Sequence, residues 1–456
     1  MLSTQFYSQN RQKLRKKLDE PILLMGNGLL ARNLPMNHLP FRQDSSFLYF
    51  TGCDRPDAAL LLDNDKEILF LPKQDPSDVL WHGKSPSNKE IASALGFNFV
   101  EDTESISSFC ATDTPLHSLA VPDPGKNALL ASLHQTEFSF GKNNGSSALA
   151  KATIALRRTL QEEELQSMRE TVTITANAHI AAMRATRVGA HERDVAFAFQ
   201  QEIHRAHLST AYDSIVTIDG HILHNHHQIN TLEAGQLLLL DGGAESTAGY
   251  ATDVTRTWPV SGEFTPQQRS AYQAVLQANK ECIALVQAGI RYRDIHTHAS
   301  LVIADFLHQE GLCSLPAQDA VAIGLHALFF PHGVGHLIGL DVHDLENFGD
   351  LAAYSPGRKR SEQFGTAYLR LDLDLEENMV VTIEPGFYIV PAILNDPLLR
   401  EKFGAHINWE KLRAWNGFGG IRIEDDVRVT ANQPENLTAI IPKEIDDIEE
   451  IVGKPL

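Results

Sequence analysis

Two carboxylates stand where an apolar core is expected. Asp241 ends the run Leu237-Leu-Leu-Leu-Asp241 and is followed by two glycines, and Asp253 comes twelve residues later in the run Tyr250-Ala-Thr-Asp253-Val-Thr-Arg-Thr-Trp258. An apolar run bounded by glycine reads as a buried strand, and the segment from Glu245 to Gly249 can turn it back on itself. Both carboxylates then sit on neighbouring strands and face one point. Carboxylates in an apolar sheet are costly unless something positive neutralises them. Arg256 lies three residues from Asp253, so on an extended strand it points to the opposite face. A metal ion is therefore the stronger candidate, ahead of a structural salt bridge.

Four further segments hold residues able to join such a site. Pro331-His332-Gly-Val-Gly-His336-Leu-Ile-Gly-Leu-Asp341-Val-His343-Asp344 spaces three histidines with glycines, which let backbone approach a ligand closely. Imidazole is both a common metal ligand and a proton carrier. Thr382-Ile-Glu384-Pro-Gly386 ends a strand on a carboxylate before a turn. Gly420-Ile-Arg422-Ile-Glu424-Asp-Asp426 places another carboxylate in a strand, with Arg422 on its own face. Ile222-Leu-His224-Asn-His226-His227 supplies more imidazole. Singly, a strand Glu is usually a solvated edge residue and a His a satisfied structural one. Together, two Asp, a His and two strand-borne Glu make a complete dinuclear set.

The ordered set Asp241, Asp253, His336, Glu384 and Glu424 resembles the pita-bread metallopeptidases, in the branch acting on Xaa-Pro bonds, aminopeptidase P and prolidase. The words Thr-Arg-Thr-Trp-Pro-Val, His-Gly-Val-Gly-His, Gly-Leu-Asp-Val-His-Asp, Ile-Glu-Pro-Gly and Gly-Ile-Arg-Ile-Glu-Asp-Asp carry the resemblance. Phe41-Arg-Gln-Asp-Ser-Ser-Phe-Leu-Tyr-Phe-Thr-Gly52 resembles the same family's amino-terminal domain. The resemblance implies an α/β domain over residues 1–150, then an α+β pita-bread catalytic domain over 151–456. It implies hydrolysis of the Xaa-Pro bond at a peptide N-terminus, or of Xaa-Pro dipeptides in a prolidase. Chaperone-like relatives keep the architecture without metals, but they lose ligands that are all present here. Asn225 departs from the family, which usually carries an aromatic after the pocket histidine.

The resemblance also implies roles. Asp241 and Glu424 bridge two metals, Asp253 completes one shell, and His336 with Glu384 the other. Glu384 handles the proton of the attacking water, while His224 and His343 stabilise the tetrahedral intermediate or pass a proton to the prolyl nitrogen. His332, Trp81 and Arg422 make up the substrate side, with Arg422 also suited to support a ligand carboxylate. Trp81 resembles a family aromatic that reaches a neighbouring subunit's cleft; plain core of the first domain is its other reading. Four carboxylates and one imidazole form a hard donor set that suits two divalent ions, Mn²⁺ above thiolate-loving ones. A prolidase needs a positive partner for a free carboxylate, which Arg358 or Arg360 could supply. The segment between Tyr388 and Phe418 also occurs in prolidase-like chains.

These residues need a scaffold, and the chain reads as one. Gln5 to Leu18 has the spacing of an amphipathic helix, and Ile22 to Met25, Phe47 to Gly52, Ala58 to Asp63 and Glu67 to Pro72 read as strands, with helices at Ile91 to Leu95 and Ile106 to Cys110. Gly141 to Ser147 is polar and glycine-rich, a linker composition. Leu165, Met168, Val172, Thr175 and His179 form one stripe of a long helix that begins at Glu162. Further helices are predicted over Glu192 to Ala206, Pro266 to Leu285 and Tyr292 to Glu310. Strands are predicted at Ser214 to Ile218, Gln236 to Asp241, Ala251 to Pro259, Leu371 to Leu375, Val380 to Glu384 and Ile421 to Val429. The order helix, helix, strand, strand runs twice.

The 456 residues suffice for two or three domains with a large core. A net charge of −19 argues against nucleic acid and anionic membrane as partners. No run of eighteen apolar residues predicts a transmembrane helix, and Met1 to Arg11 has no signal-peptide pattern. Four scattered cysteines (Cys53, Cys110, Cys282, Cys313) fit reduced thiols in the cytoplasm. Proline-containing peptides are the expected partners, and a homo-oligomer, dimer or tetramer, the expected assembly.

Overall fold

The computed structural model describes residues 1–63, 66–110 and 115–454. They form two compact units: Met1–Arg158 with Leu345–Ala352, and Thr159–Asp344 with Ala353–Leu456. The polar 141–147 segment lies within the first.

The first unit is built on a mixed five-stranded sheet, in the order Phe99–Asp102, Lys66–Leu71, Ala59–Asp63, Ile22–Met25, His117–Ser118. Its two outer pairings are parallel and the inner ones antiparallel. Leu23, Met25, Leu61 and Phe70 pack with Leu130 of the helix Pro124–His134. The segment Phe47 to Gly52, predicted as a strand, is helical: the helix runs Ser45–Thr51 and all seven residues are buried. A short, wholly apolar run carries no period to separate helix from strand. Asp44 decides it locally by accepting the Phe47 N–H as N-cap, and Gly52 closes the helix in the left-handed region.

In the second unit two long helices followed by strands occur twice. Glu162–Ala185 and Glu192–Arg205 precede a three-stranded antiparallel sheet, in which Leu237–Asp241 lies between Ile215–Thr217 and Thr255–Pro259. The stripe Leu165, Met168, Val172, Thr175, His179 is buried throughout. Pro266–Ala284 and Tyr292–Gln309 precede the second set of strands. There the predicted strand Ile421 to Val429 is broken. Gly420–Arg422 pairs with Gly386–Tyr388, while Asp425–Arg428 pairs with Val380–Ile383. Leu371 to Leu375 forms only isolated bridges, to Arg291 and Tyr354. Its backbone groups bond the turn before Tyr292 instead of a neighbouring strand (Tyr292 N to Leu373 O 2.9 Å, Leu375 N to Ile290 O 2.8 Å).

Arg256 does face away from Asp253. Its Nη2 donates to Asp425 Oδ1 at 2.8 Å, and Lys443 Nζ reaches the other oxygen at 2.7 Å. Arg256 also donates to the carbonyls of Thr255, Glu424, Ile441 and Pro442. Arg256 and Asp425 are both fully buried. Burial opposes charge on Asp425, but Arg256 and Lys443 outweigh it and hold the carboxyl well below its usual range. Removing one member of such a buried pair leaves an uncompensated charge. We expect Arg256→Leu to lower the unfolding free energy by about 3–5 kcal/mol in urea titrations, and a loss under about 1 kcal/mol would contradict this account.

Candidate metal centre

Each ligand candidate stands where regular structure stops. Asp241 is the last residue of its strand, and Asp253 precedes the strand Thr255–Pro259 with its N–H on Asp426 Oδ2 (3.1 Å). Glu384 and Glu424 occupy matched breaks: Ile383 pairs with Asp425 and Gly386 with Arg422, so each Glu sits where the two chains change register segment. A Glu at such a break keeps its backbone bonded (Glu384 N to Val334 O 2.8 Å, Glu424 N to Thr255 O 3.0 Å) while its side chain leaves the sheet. Gly335, at φ +151°, lets the histidine loop lie against Thr382, because a Cβ there would come within 2.3 Å of the Thr382 carbonyl. At the next residue, Thr382 N donates to His336 O at 2.9 Å, which fixes the imidazole beside the strand.

The geometry is that of one extended cluster. Ligand atoms of Asp241, Asp253 and Glu424 lie within 4.8 Å of one another, as do those of His336, Glu384 and Glu424, and those of Asp253, His336 and His343. Asp253, His336 and Glu424 thus each belong to two groups, and Asp241, Glu384 and His343 to one. His336 Nδ1 is within 3.0 Å of the Leu337 carbonyl, to which it donates, so Nε2 keeps its lone pair. That Nε2 lies 3.4 Å from Asp253 and 3.8 Å from Glu384.

The cation nearest these carboxylates is Arg422, not Arg256. It donates to Asp241 Oδ2 at 2.6 Å, to Thr255 Oγ1 at 3.0 Å and to the Tyr388 hydroxyl at 3.1 Å. One guanidinium does not balance four carboxylates. Burial, reinforced by the charges of Asp253, Glu384 and Asp241, pushes Glu424 well above its ordinary range. Burial raises Glu384 to about 7, with Asp253 and Asp241 adding to it against His336 and Arg422. Asp241 is raised by burial and by Asp253, against Arg422. At Asp253 the upward push of burial is outweighed by the hydrogen bond and charge of His336, and the carboxyl is lowered. Carboxylates that repel protonless neighbours across a buried gap are a site awaiting positive charge, and the all-oxygen-and-imidazole donor set fits hard or borderline divalent ions.

The other expected site residues divide. His343 is exposed, with its ring 4.2 Å from that of His336. His224 is exposed too, its pKa lowered by partial burial and by Arg422. His332 bonds the Tyr388 hydroxyl through Nε2 (2.8 Å) and has Nδ1 3.6 Å from Glu384; burial and Arg422 push it down to about 3. Arg422 is turned onto Asp241, so its geometry is that of a support for a carboxylate and not of a substrate contact. Trp81 is not core: it is 66% exposed in the short helix Asp78–His82 of the first unit. Asn225, the departure noted above, is buried and ties its turn to the strand by donating to Thr217 Oγ1 at 3.0 Å. Sequence reasoning missed Tyr212, whose hydroxyl bonds both Asp241 (2.5 Å) and Asp253. Only its place just ahead of the strand Ile215–Thr217 could have signalled it.

Residues 166–431 match the model of metallopeptidase family M24, and residues 7–117 that of the aminopeptidase P N-terminal domain. The chain belongs to metallopeptidase family M24. Among similar M24 chains is a protein of Botryotinia fuckeliana called probable Xaa-Pro aminopeptidase pepP, 34% identical over 91% of this chain and 88% of its own. A second, from Phaeosphaeria nodorum, carries the same description at 32% identity, with 91% and 87% covered. Zinc-substituted aminopeptidase P of E. coli, solved in complex with product, superposes with a TM-score of 0.81 at 26% identity, covering 99% of this chain and 98% of that one. The fold is therefore an aminopeptidase P N-terminal domain followed by a pita-bread catalytic domain, and the protein is a metallopeptidase.

Metal binding needs these carboxylates deprotonated. The raised ones hold protons in the folded state as pH rises from Glu384's ordinary 4.5 to about 7. Stability from those protons is present below that window and lost through it, while a bound cation does the reverse. We expect the melting-temperature difference between protein with saturating MnCl₂ and chelated protein to grow by several degrees from pH 5 to 7.5. A difference that is flat or shrinks would contradict the carboxylate site.

Proposed function

We propose that the chain is an Xaa-Pro aminopeptidase, which releases the N-terminal residue of peptides whose second residue is proline. The convergence of Asp241, Asp253, His336, Glu384 and Glu424 on one buried locus carries this reading. Relatives spanning nine-tenths of the chain that are called probable Xaa-Pro aminopeptidases support it. Asp241, Asp253, His336, Glu384 and Glu424 would hold two divalent ions between them. Mn²⁺ suits the hard donors.

Bound ions would supply Lewis acidity, lowering the pKa of water and polarising the scissile carbonyl. The chain's own groups do the rest. Glu384 takes the proton of the attacking water, and Arg422 with Tyr212 holds Asp241 in place. His343 and His224, both exposed at the locus, stabilise the tetrahedral oxygen or pass a proton to the prolyl nitrogen. A prolyl amide has no N–H, so a site that asks for none loses nothing by accepting it. Both arginines of the basic run are engaged internally: Arg358 grips Asp374 at 2.7 and 2.8 Å and Arg360 donates to Leu369 O, which disfavours their service to a dipeptide's carboxylate. Four free cysteines fit a cytoplasmic location. No helix among the described residues is long and apolar enough to cross a membrane. Exposed Leu80 and Trp81 support assembly of copies.

We expect the Mn²⁺-loaded enzyme to cut Xaa-Pro-Xaa tripeptides at the Xaa-Pro bond. Activity confined to dipeptides and abolished by amidating their C-terminus would make it a prolidase. His343→Ala should lower kcat roughly 10²–10⁴-fold with metal content unchanged. Loss of metal in that variant would make His343 a ligand, as its place beside Asp253 and His336 permits.

A further inference from the structure

Behind the histidine loop lie two imidazoles that no catalytic role uses. His296 is on the inner face of the helix Tyr292–Gln309, and His326 is in the short 3₁₀ turn Leu325–Leu328. They are 2% and 1% exposed, and none of their four ring nitrogens has a hydrogen-bond partner among the described residues. Burial, with smaller contributions from His326 and Arg293, lowers His296 to about 3, and burial lowers His326 to about 4. Both rings are neutral at pH 7, so each has one N–H to donate and one lone pair to fill. Leaving such groups unmet costs about 1–3 kcal/mol each.

Distance limits what can join them. The ring centroids are 6.5 Å apart, with planes at 62°. A direct N–H···N bond of ordinary length holds centroids to about 5.5 Å at most. A tetrahedral zinc ion, about 2.0–2.1 Å from each nitrogen, would also need about 5 Å. One water at about 2.9 Å from a nitrogen of each ring, bonded at its tetrahedral angle, sets them at about 6.5 Å.

The pair also has something to hold. The carbonyl of His326 accepts the N–H of Phe329 (3.0 Å) and of Phe330 (2.9 Å). The Phe330 ring lies 5.6 Å from that of His296 and meets the ring of His332 edge-on at 4.9 Å. His332 in turn bonds Tyr388 beside Arg422. Phe330 cannot conduct a proton, so the connection is mechanical.

We propose that His296 and His326 are positioning residues, a water-bridged buried pair that fixes the turn Leu325–Leu328 on its helix and so sets Phe330 against His332. The pair stands on geometry alone, while its kinetic consequence rests on the proposed peptidase reading. The test is a cycle of His296→Leu, His326→Leu and the double variant, measured in urea unfolding, in metal content and in kinetics on a tripeptide. Each single variant strands the other imidazole. We expect each to lower the unfolding midpoint and raise KM about five- to tenfold with kcat and metal content nearly unchanged. The double variant should be more stable than the additive sum of the singles. Additive losses in the cycle, or singles that lose stability with KM unmoved, would overturn the proposal. In ¹⁵N spectra of the wild-type protein, both imidazoles should be neutral with slowly exchanging N–H protons. Freely exchanging N–H protons would overturn it even if a variant fails to fold or no peptide is cut.

Discussion

Four carboxylates share one buried locus in the second unit, and one guanidinium is held against them. Burial, with the mutual repulsion of Asp241, Asp253, Glu384 and Glu424 added to it, lifts three of the four above their ordinary range. The fold keeps them together by making each one hard to move. Asp241 is pinned by Arg422 and Tyr212, Glu424 accepts the Thr255 hydroxyl at 2.8 Å, and both Glu leave the sheet at matched strand breaks. Such an arrangement costs stability in the free chain and is repaid on binding divalent cations, which is the thermodynamic form a metal-dependent hydrolase takes.

The same strands separate two kinds of charge. Asp425 and Arg256, one residue beyond Glu424 and three beyond Asp253, face the other side and neutralise each other with Lys443. That pair ties the first three-stranded sheet to the strand Asp425–Arg428 and keeps Arg256 out of the metal locus. Alternation along two short strands therefore assigns one arginine to structure and leaves the ligand carboxylates to the cation.

Much of this was legible in the sequence because it rests on local signals. The apolar run into Asp241, the stripe from Leu165 to His179 and the glycine-spaced histidines each carry their period or punctuation in a few residues, and the family words place the five ligand candidates in order. What was not legible depends on partners distant in the chain. Phe47 to Gly52 is apolar throughout, so only the Asp44 cap separates helix from strand. The breaks at Glu384 and Glu424 arise from which strand each half pairs with. Arg422 was placed on the face of Glu424, yet its reach to Asp241 spans two sheets. Tyr212 is an isolated aromatic whose two carboxylate partners come from other strands, and the unpartnered pair His296 and His326 is visible only once a helix and a turn are packed together.

The proposed function stands on this cluster of carboxylates and one imidazole taking up divalent cations. Anomalous diffraction at the manganese edge from crystals of the Mn²⁺-loaded protein tests it directly. Two peaks about 3.5–4 Å apart are expected within the cluster of Asp241, Asp253, His336, Glu384 and Glu424. A single peak, or peaks away from these residues, would contradict it.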